Sequence, residues 1–195
     1  MWRQLGAPDV DEELFRRLVA CYSEPHRKYH TMQHLNECFE HLECVRSFAE
    51  KAGEIELVLW FHDAIYDTRR ADNEERSAEW ARESVISAGL SSDQASRIYQ
   101  LVIATKHDAV PAAGDAAILV DIDLAILGSD EARYDEYEVQ VREEYSWIPE
   151  PLFRQERRRI LEEFANRQSI YSTEYFQVEY ESQARNNIAR SLARL

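Results

Sequence analysis

An apolar run from Ile55 to Phe61 ends in an adjacent histidine and aspartate, His62-Asp63, and a second acid, Asp67, follows four residues after Asp63. The run is apolar nearly all round at its centre, which predicts an element buried inside the fold. Removing a carboxylate from water is costly unless a partner compensates for the lost hydration. A divalent metal ion is the simplest such partner, and its other ligands would have to come from elsewhere in the chain.

Residues that break helices are scarce, since the 195 residues include only five glycines and five prolines. An all-β fold needs more turn residues than this, and apolar residues recur at helical spacing along most of the chain. The 54–66 segment is compatible with a buried strand by periodicity alone, but its length and its helical neighbours favour a helix. We therefore predict an all-α fold of about eight or nine helices, with no internal repeat and no linker that would divide it. The predicted helices or helical stripes cover residues 9–22, 35–48, 54–66, 74–88, 95–105, 116–127, 131–147, 152–164 and 174–195.

The net charge of −14 argues against a protein that binds nucleic acid through its phosphate backbone, because that mode needs clustered lysines and arginines. The first residues, Met1 to Leu5, begin no long apolar segment, so we expect neither a secretory signal nor a membrane span. The three cysteines (Cys21, Cys38 and Cys44) are odd in number and form no Cys-x-x-Cys pair. We interpret them as reduced core thiols of a cytoplasmic protein.

Two histidines four residues apart, His30 and His34, share one face if their segment is helical. One of them can then bind a metal ion while the other faces a substrate, although two half-exposed helix residues would show the same spacing. His62-Asp63 adds an imidazole and a carboxylate as metal donors; the alternative is a buried ion pair or a helix-terminal acid. Asp67 is predicted one helical turn after Asp63, where its carboxylate would orient or deprotonate a water molecule.

Two further acids, Asp121 and Asp123, interrupt the apolar stretch Ile118–Leu127. Acids in such a stretch should be ion-paired, capping or metal-bound. Because they are two residues apart, they point in different directions on a helix, and we expect only one of them to join a metal site. The sequence leaves open which one does so.

The order His34, His62-Asp63 and Asp123 resembles the His…His-Asp…Asp pattern of the HD-domain superfamily of metal-dependent phosphohydrolases. The segment Tyr29–Leu35 is similar to the Tyr-His-Asn-x-x-His segment of cyclic-nucleotide phosphodiesterases, with Thr31 in place of the asparagine. The segment His62–Thr68 is similar to the HDxxEDT segment of alarmone hydrolases, with Tyr66 in place of the glutamate.

The widest likeness, over nearly the full chain, is to a small bacterial family of predicted HD-superfamily metal-dependent phosphohydrolases. It implies a single HD-type domain over residues 1–195, with the metal-site core at about 26–128 and the C-terminal helices 131–195 packed on it. The stretches that carry it are Arg27–His34, Trp60–Asp67, Asn73–Ala78, Asp123–Gly128 and Arg142–Tyr145.

This resemblance implies one divalent metal ion, or two, drawn from Mn, Mg, Fe, Ni, Co and Zn. The implied ligands are His34, His62, Asp63 and Asp123, the last favoured over Asp121 because Asp123-Leu124 matches the family's final aspartate. The resemblance also implies that His30 donates a proton to the leaving group, while Asp67 orients the water. The expected reaction is hydrolysis of a small phosphomonoester or nucleotide-like phosphate; the alternative is a non-catalytic HD module that senses a nucleotide or a partner.

Three more residues are predicted to bind the substrate phosphate: Lys106, His107 and Arg142. Lys106 would act as a point charge and Arg142 as a bidentate donor, while His107 is also a candidate ligand for a second metal ion. Cations that merely favour a helix C-terminus are the alternative for Lys106 and His107. The expected partner is thus a small anionic phosphate substrate, with no nucleic acid and no membrane, and a homodimer is compatible with the sequence.

Overall fold

The computed structural model describes residues 5–6, 12–107, 111 and 113–195. In these ranges the chain forms α-helices, short 3₁₀-helices and no strand, which confirms the predicted all-α class. The α-helices are α1 (Glu12–Cys21), α2 (Met32–Val45), α3 (Ala52–Phe61), α4 (Asn73–Ser87), α5 (Ser92–Ala104), α6 (Gly114–Asp123), α7 (Glu131–Glu144), α8 (Glu150–Ala165), α9 (Glu174–Glu179) and α10 (Glu181–Arg194).

These described ranges contain ten α-helices where about eight or nine were predicted, because the last predicted helix divides at Tyr180 into α9 and α10. The expected start of the first helix, residues 9–11, lies outside the described residues, as do the first four residues of the chain. Among the helices that the structure describes, none is long and apolar enough to cross a membrane.

Helix α3 lies at the centre of the fold and packs against α2, α4, α5 and α6. Five of its apolar side chains are fully buried, as the sequence predicts: Ile55, Leu57, Val58, Leu59 and Phe61. Burying such side chains contributes roughly 1.5–3 kcal/mol each. This packing fixes the position of the His-Asp pair that follows the helix.

Helix α3 ends at Phe61, and the prediction that it continues to Tyr66 is wrong. Two buried side chains from the segment between α1 and α2 donate hydrogen bonds to carbonyl oxygens that would accept backbone amides if the helix continued. The Tyr22 hydroxyl donates to the carbonyls of Leu59 and Trp60, both at 3.3 Å. The buried guanidinium of Arg27 donates to the carbonyls of Asp63 and Ala64, at 2.6 and 3.1 Å. These bonds satisfy the free carbonyls of the helix end.

Helix α6 ends at Asp123 and continues as a 3₁₀-helix over Leu124–Gly128, within the apolar stretch that was predicted as one helix. The C-terminal helices hold this 3₁₀ segment, since α7 and α10 both pack on it. The buried Asn187 side chain of α10 donates to the carbonyls of Leu127 and Ser129, at 3.0 and 2.8 Å. A Cβ atom at Gly128 would lie only 2.7 Å from the carbonyl oxygen of Tyr180, so this close approach requires glycine.

Polar caps define the starts of several helices. The Thr31 hydroxyl accepts from the Gln33 amide at the start of α2. Ser91 and Gln94 form a reciprocal capping box at the start of α5. Asp130 accepts from two amides at the start of α7. Such caps each contribute roughly 1 kcal/mol, and the first of them sets the register of the helix that carries His34.

Candidate metal centre

Four of the predicted site residues converge on one point between α2, α3 and α6. His34 comes from the first turn of α2, His62 and Asp63 follow α3, and Asp123 is the last residue of α6. The two Nε2 atoms of the histidines are 3.2 Å apart. Asp123 Oδ1 is 3.2 Å from His34 Nε2 and 3.6 Å from His62 Nε2.

Asp63 completes this arrangement, with Oδ2 at 3.0 Å from His62 Nε2 and 3.6 Å from His34 Nε2. Donor atoms that share an ion at a bond length of about 2.1 Å lie roughly 3.0–3.4 Å apart in adjacent octahedral or tetrahedral positions. Three of the five observed separations, at 3.0–3.2 Å, lie in that range, and the other two, at 3.6 Å, are slightly longer. Two imidazoles and two carboxylates suit the first-row divalent metals named from the sequence.

The tautomer of His62 points to the same conclusion. Its Nδ1 lies 2.8 Å from the Leu59 carbonyl oxygen, which only accepts hydrogen bonds, so Nδ1 carries a proton. In the neutral imidazole Nε2 therefore has a lone pair directed at Asp63, Asp123 and the second imidazole. Such a cluster of acceptors is unfavourable unless they share a proton or a cation.

The electrostatics of the cluster favour a shared positive charge. Burial alone would lower the pKa of His62, but the negative charges of Asp63 and Asp123 raise it well above its usual range. Burial alone would raise the pKa of Asp63, but the charge on His62 lowers it below its ordinary value. Against burial, the pKa of Asp123 is likewise held well below its ordinary value by hydrogen bonds with His107, His34 and His62. Both carboxylates are therefore anionic and available as ligands.

Cys38 also lies at this centre, one helical turn after His34. Its Sγ is 3.7 Å from both ring nitrogens of His34, and it belongs to a group with His34, His62 and Asp123 whose donor atoms all lie within 4.8 Å of one another. Burial, together with the charges of Asp123 and Asp63, raises the pKa of this thiol well above its usual range. The Asp63 carboxylate approaches the Nε2 atoms of His62 and His34 to 3.0 and 3.6 Å, closer than the thiol approaches the ring nitrogens of His34, so we assign the thiol to the edge of the site.

The structure distinguishes Asp121 from Asp123, of which the sequence pattern expected only one at the metal site. Asp121 is fully buried and accepts hydrogen bonds from the amides of Ser172 and Thr173 and from the Thr173 hydroxyl, at 2.7–3.1 Å. It therefore anchors the segment that precedes α9. Asp123 is the acid that joins the two histidines, as the resemblance implied.

His30 is held beside the centre by a buried glutamate of α7. Glu144 Oε2 accepts from His30 Nδ1 at 2.8 Å and from the Tyr66 hydroxyl at 2.9 Å. Its other oxygen, Oε1, accepts three successive backbone amides, those of residues 28, 29 and 30, at 2.7–3.0 Å. Burial would lower the pKa of His30, but the charges of Asp63 and Glu144 and the bond to Glu144 raise it. His30 is therefore protonated over a wider pH range than an ordinary histidine.

A cavity of about 590 Å³ opens from the centre between the 3₁₀ segment, α7 and α8, and we call it the α7–α8 cavity. Its metal-side end includes His30, Asp63, His107 and Asp123, with Lys106 nearby. In the part of the chain that the structure describes, the buried Tyr29 hydroxyl and His107 Nδ1 have no hydrogen-bond partner. Both residues line the cavity.

Two of the residues predicted to bind substrate lie in this lining. His107 Nε2 is 3.0 Å from Asp123 Oδ2, which connects it directly to a predicted metal ligand. His107 also adopts a φ of 58°, in the left-handed region that non-glycine residues rarely occupy. The Lys106 ammonium contacts Glu75 Oε1 at 2.6 Å on the rim of the cavity.

Two other predicted residues are not brought to the cavity. Asp67 is exposed in the turn after α3, where its carboxylate accepts from the Arg69 amide at 2.9 Å. It is not one helical turn after Asp63, because the helix has already ended. Arg142 donates to Glu150 and to the carbonyls of Tyr145 and Ile148, which ties α7 to the start of α8. Neither residue is part of the cavity lining, whereas Arg157, another arginine, is.

Sequence reasoning assigned no role to three residues that shape the site: Arg27, Cys38 and Glu144. Glu144 continues the buried stripe of α7 that includes Tyr137 and Val141, and an acid on such a stripe signals a buried partner. Cys38 follows His34 by four residues, which is also a detectable spacing. Arg27 pairs locally with Glu24, but its bonds to the carbonyls of Asp63 and Ala64 have no local signal, because these lie at a distant helix end.

The chain was compared with family models, curated proteins and solved structures, and none of them matches it. The resemblance to HD-domain proteins therefore stays a prediction carried by the residue pattern. The assignment of the site consequently depends on its own geometry and chemistry.

Proposed function

We propose that this chain is a metal-dependent phosphohydrolase of the HD type, acting on a small phosphomonoester or nucleotide-like phosphate. The observation that carries the proposal is the convergence of His34, His62, Asp63 and Asp123, with donor separations of 3.0–3.6 Å. Two of these residues, Asp63 and Asp123, line the α7–α8 cavity. These four residues would hold the ion. A bound divalent ion supplies charge neutralisation for a phosphoryl oxygen and a lowered pKa for a water molecule.

The protein's own groups support a hydrolytic role for this cavity. His30 lines it, and since Nδ1 is bonded to Glu144, Nε2 is the ring nitrogen available to a bound molecule. When the ester P–O bond breaks, His30 donates the Nε2 proton to the leaving oxygen, and water adds to phosphorus. Glu144 positions the imidazole and stabilises its protonated form, so it acts through His30.

His107 and Lys106 provide polar contacts at the same end. His107 holds Asp123 on the side away from His34 and would orient that carboxylate, as outer partners of metal ligands commonly do. Lys106 adds a positive charge on the rim. Their substrate-binding roles, predicted from sequence, remain part of this proposal.

The test compares two kinds of variant across a panel of phosphate esters and nucleotides. His62→Ala and Asp63→Ala should lose both the bound metal, measured by elemental analysis, and phosphate release. His30→Gln should retain the metal and reduce kcat by about 10²–10⁴-fold, the range typical of lost acid catalysis. Full phosphate release in the His62 or Asp63 variants would refute the proposal. Binding of a phosphate compound without turnover under every metal tested would instead support the sensing module.

A further inference from the structure

The α7–α8 cavity has two chemically different ends. The metal-side end is polar, as described above, whereas the far end is lined by aliphatic and aromatic side chains of the 3₁₀ segment, α7, α8 and the loop between these two helices. The apolar lining residues are Leu124, Ile126, Leu127, Tyr137, Val141, Tyr145, Ile148, Phe153, Ile160 and Phe164. An apolar wall next to a charged centre favours a ligand that has both a charged and an apolar part.

One face of α8 contributes three of these ten apolar residues, with Glu156 and Arg157 between them, and its apolar side chains are left only half-buried by the protein itself. Phe153, Ile160 and Phe164 follow at helical spacing and all line the cavity, yet each remains partly exposed. The opposite wall contains Leu124, Leu127 and Val141, which are buried. An organic group between these walls would remove further apolar surface from water, which is favourable.

The volume of the cavity is larger than a phosphate group requires. At about 590 Å³ it lies in the range of roughly 300–1,000 Å³ typical of small-molecule sites. A phosphoryl group at the metal-side end would therefore leave most of the apolar end for the rest of the molecule.

The charges of the lining limit the substrate to few phosphates. Each of the three cationic side chains in the described lining is already in an ion pair with a carboxylate. These pairs are Arg70–Asp72, Lys106–Glu75 and Arg157–Glu138. The lining also includes four acids: Asp63, Glu74, Asp123 and Glu156. An oligophosphate would bring several negative charges to a cavity that has little positive charge to neutralise them.

We infer that the substrate is a monophosphate ester of an apolar alcohol, with its phosphoryl group at the metal-side end and its aliphatic or aromatic group between the 3₁₀ segment, α7 and α8. This inference rests on the proposed function for the identity of the metal-side end. It excludes oligophosphates because of their charge. It also makes polar sugar phosphates poor substrates, because a mostly apolar end compensates only part of the hydration that a sugar loses.

The test is binding of n-alkylphosphonates, from methyl to hexyl, to the Mn²⁺-loaded protein by calorimetry. Phosphonates are not hydrolysed, so binding is measured separately from turnover. Each buried methylene should raise affinity by up to about fourfold, and we expect hexylphosphonate to bind at least about tenfold more tightly than methylphosphonate. Equal affinity along the series, or no binding of any member, would overturn the inference.

A pair of variants on α8 tests whether the alkyl chain binds against this helix. Ile160→Asn should reduce the hexyl-to-methyl affinity ratio by at least about fivefold, with methylphosphonate affinity and metal content unchanged. Leu152→Asn is the matched control: this side chain is 57% exposed on the same helix and is not in the lining, so the ratio should stay at its wild-type value. An unchanged ratio in Ile160→Asn would overturn the placement at α8. The chain-length series on the wild-type protein remains decisive even if that variant misfolds.

Hydrolysis is then measured separately on the matching alkyl phosphates and on glycerol phosphate and ATP. If binding depends on chain length but no ester releases phosphate, the proposed hydrolase activity is refuted, while the inferred ligand class, a phosphate ester of an apolar alcohol, is supported. Equal kcat/KM for hexyl phosphate and glycerol phosphate would refute the ligand class and leave the hydrolase standing.

Discussion

Replacing Glu144 with glutamine tests the buried carboxylate that organises the His30 side of the site. The substitution keeps the shape of the side chain and removes its charge. In the wild-type protein the carboxylate accepts five hydrogen bonds, from three backbone amides, from His30 and from Tyr66. The amide of glutamine has one accepting oxygen, so its NH₂ group would face donors and leave them unsatisfied.

The size of the expected loss in unfolding free energy follows from the pKa of Glu144. Burial alone would raise this pKa, but the hydrogen bonds and charge of His30 and the backbone amides lower it from 4.5 to about 2. The side chain is 0% exposed, so solvent does not screen these contacts. A shift of about 2.5 units corresponds to roughly 3 kcal/mol of folding free energy at neutral pH. We expect Glu144→Gln to lower the free energy of unfolding by about that amount.

The stabilisation of the fold by Glu144 should decrease as the pH falls. Because the pKa is lowered in the folded state, the stabilisation by Glu144 is fully present above about pH 4.5 and is lost as the pH falls toward about 2. The difference in unfolding free energy between wild type and Glu144→Gln should therefore shrink by about 1.4 kcal/mol per pH unit in that window.

The assay is urea-induced unfolding of the metal-free proteins between about pH 7 and pH 3. Glu143→Gln is the matched control, since Glu143 is the exposed neighbour on α7 and its loss changes the net charge equally. We expect the control to remain within about 0.5 kcal/mol of wild type. A Glu144→Gln effect below about 1 kcal/mol, or one that stays constant from neutral to acidic pH, would refute the electrostatic account of this residue.

Three further substitutions test the local structure around the site. Arg27→Met should lower the unfolding free energy by about 2–4 kcal/mol and weaken metal binding, because it leaves the buried carbonyls after α3 without donors; urea unfolding and metal titration would show this, and wild-type values for both would contradict it. Gly128→Ala should destabilise by about 1–3 kcal/mol in the same unfolding assay through its close contacts with the α9–α10 junction, and a neutral effect would mean that the 3₁₀ segment shifts easily. Asp67→Asn should leave metal content and kcat unchanged, since the side chain lies in an exposed turn; a loss of kcat with the metal retained would restore the catalytic role predicted from the sequence.

The sequence was sufficient to predict the all-α class, because helical spacing is a local pattern. The set of four residues that the structure brings together was implied by the resemblance, since the local pattern alone left Asp121 and Asp123 open. Helical spacing identifies α2, α3 and α6, and each of these buried elements carries or precedes an unexpected polar residue. The resemblance to the HD-domain pattern then implied that His34, His62-Asp63 and Asp123 belong to one site. Buried polar residues need partners, and with few histidines in the chain the choice of partners was small.

The placement of Asp67 could not be predicted, because it depends on where α3 ends. Nothing in the sequence around Phe61 stops a helix, and Ala64 is a good helix former. The helix ends because Tyr22 and Arg27, more than 30 residues earlier, take the carbonyls of its last turn and of the residues that follow. Such contacts between distant segments override local propensity, and they move Asp67 from the predicted helix face into a surface turn.

The charges around the cavity bear on how a chain with a net charge of −14 would bind the anionic substrate that we propose. Asp63, Asp123 and Glu144 lie close to the metal-side end, and the cations of the cavity lining are all paired. A phosphate dianion entering this cavity would meet net negative charge unless the two aspartates first bind a divalent cation. The proposed ion would thus be required for substrate binding as well as for chemistry, and under the proposal the apolar end of the cavity would discriminate among phosphate esters.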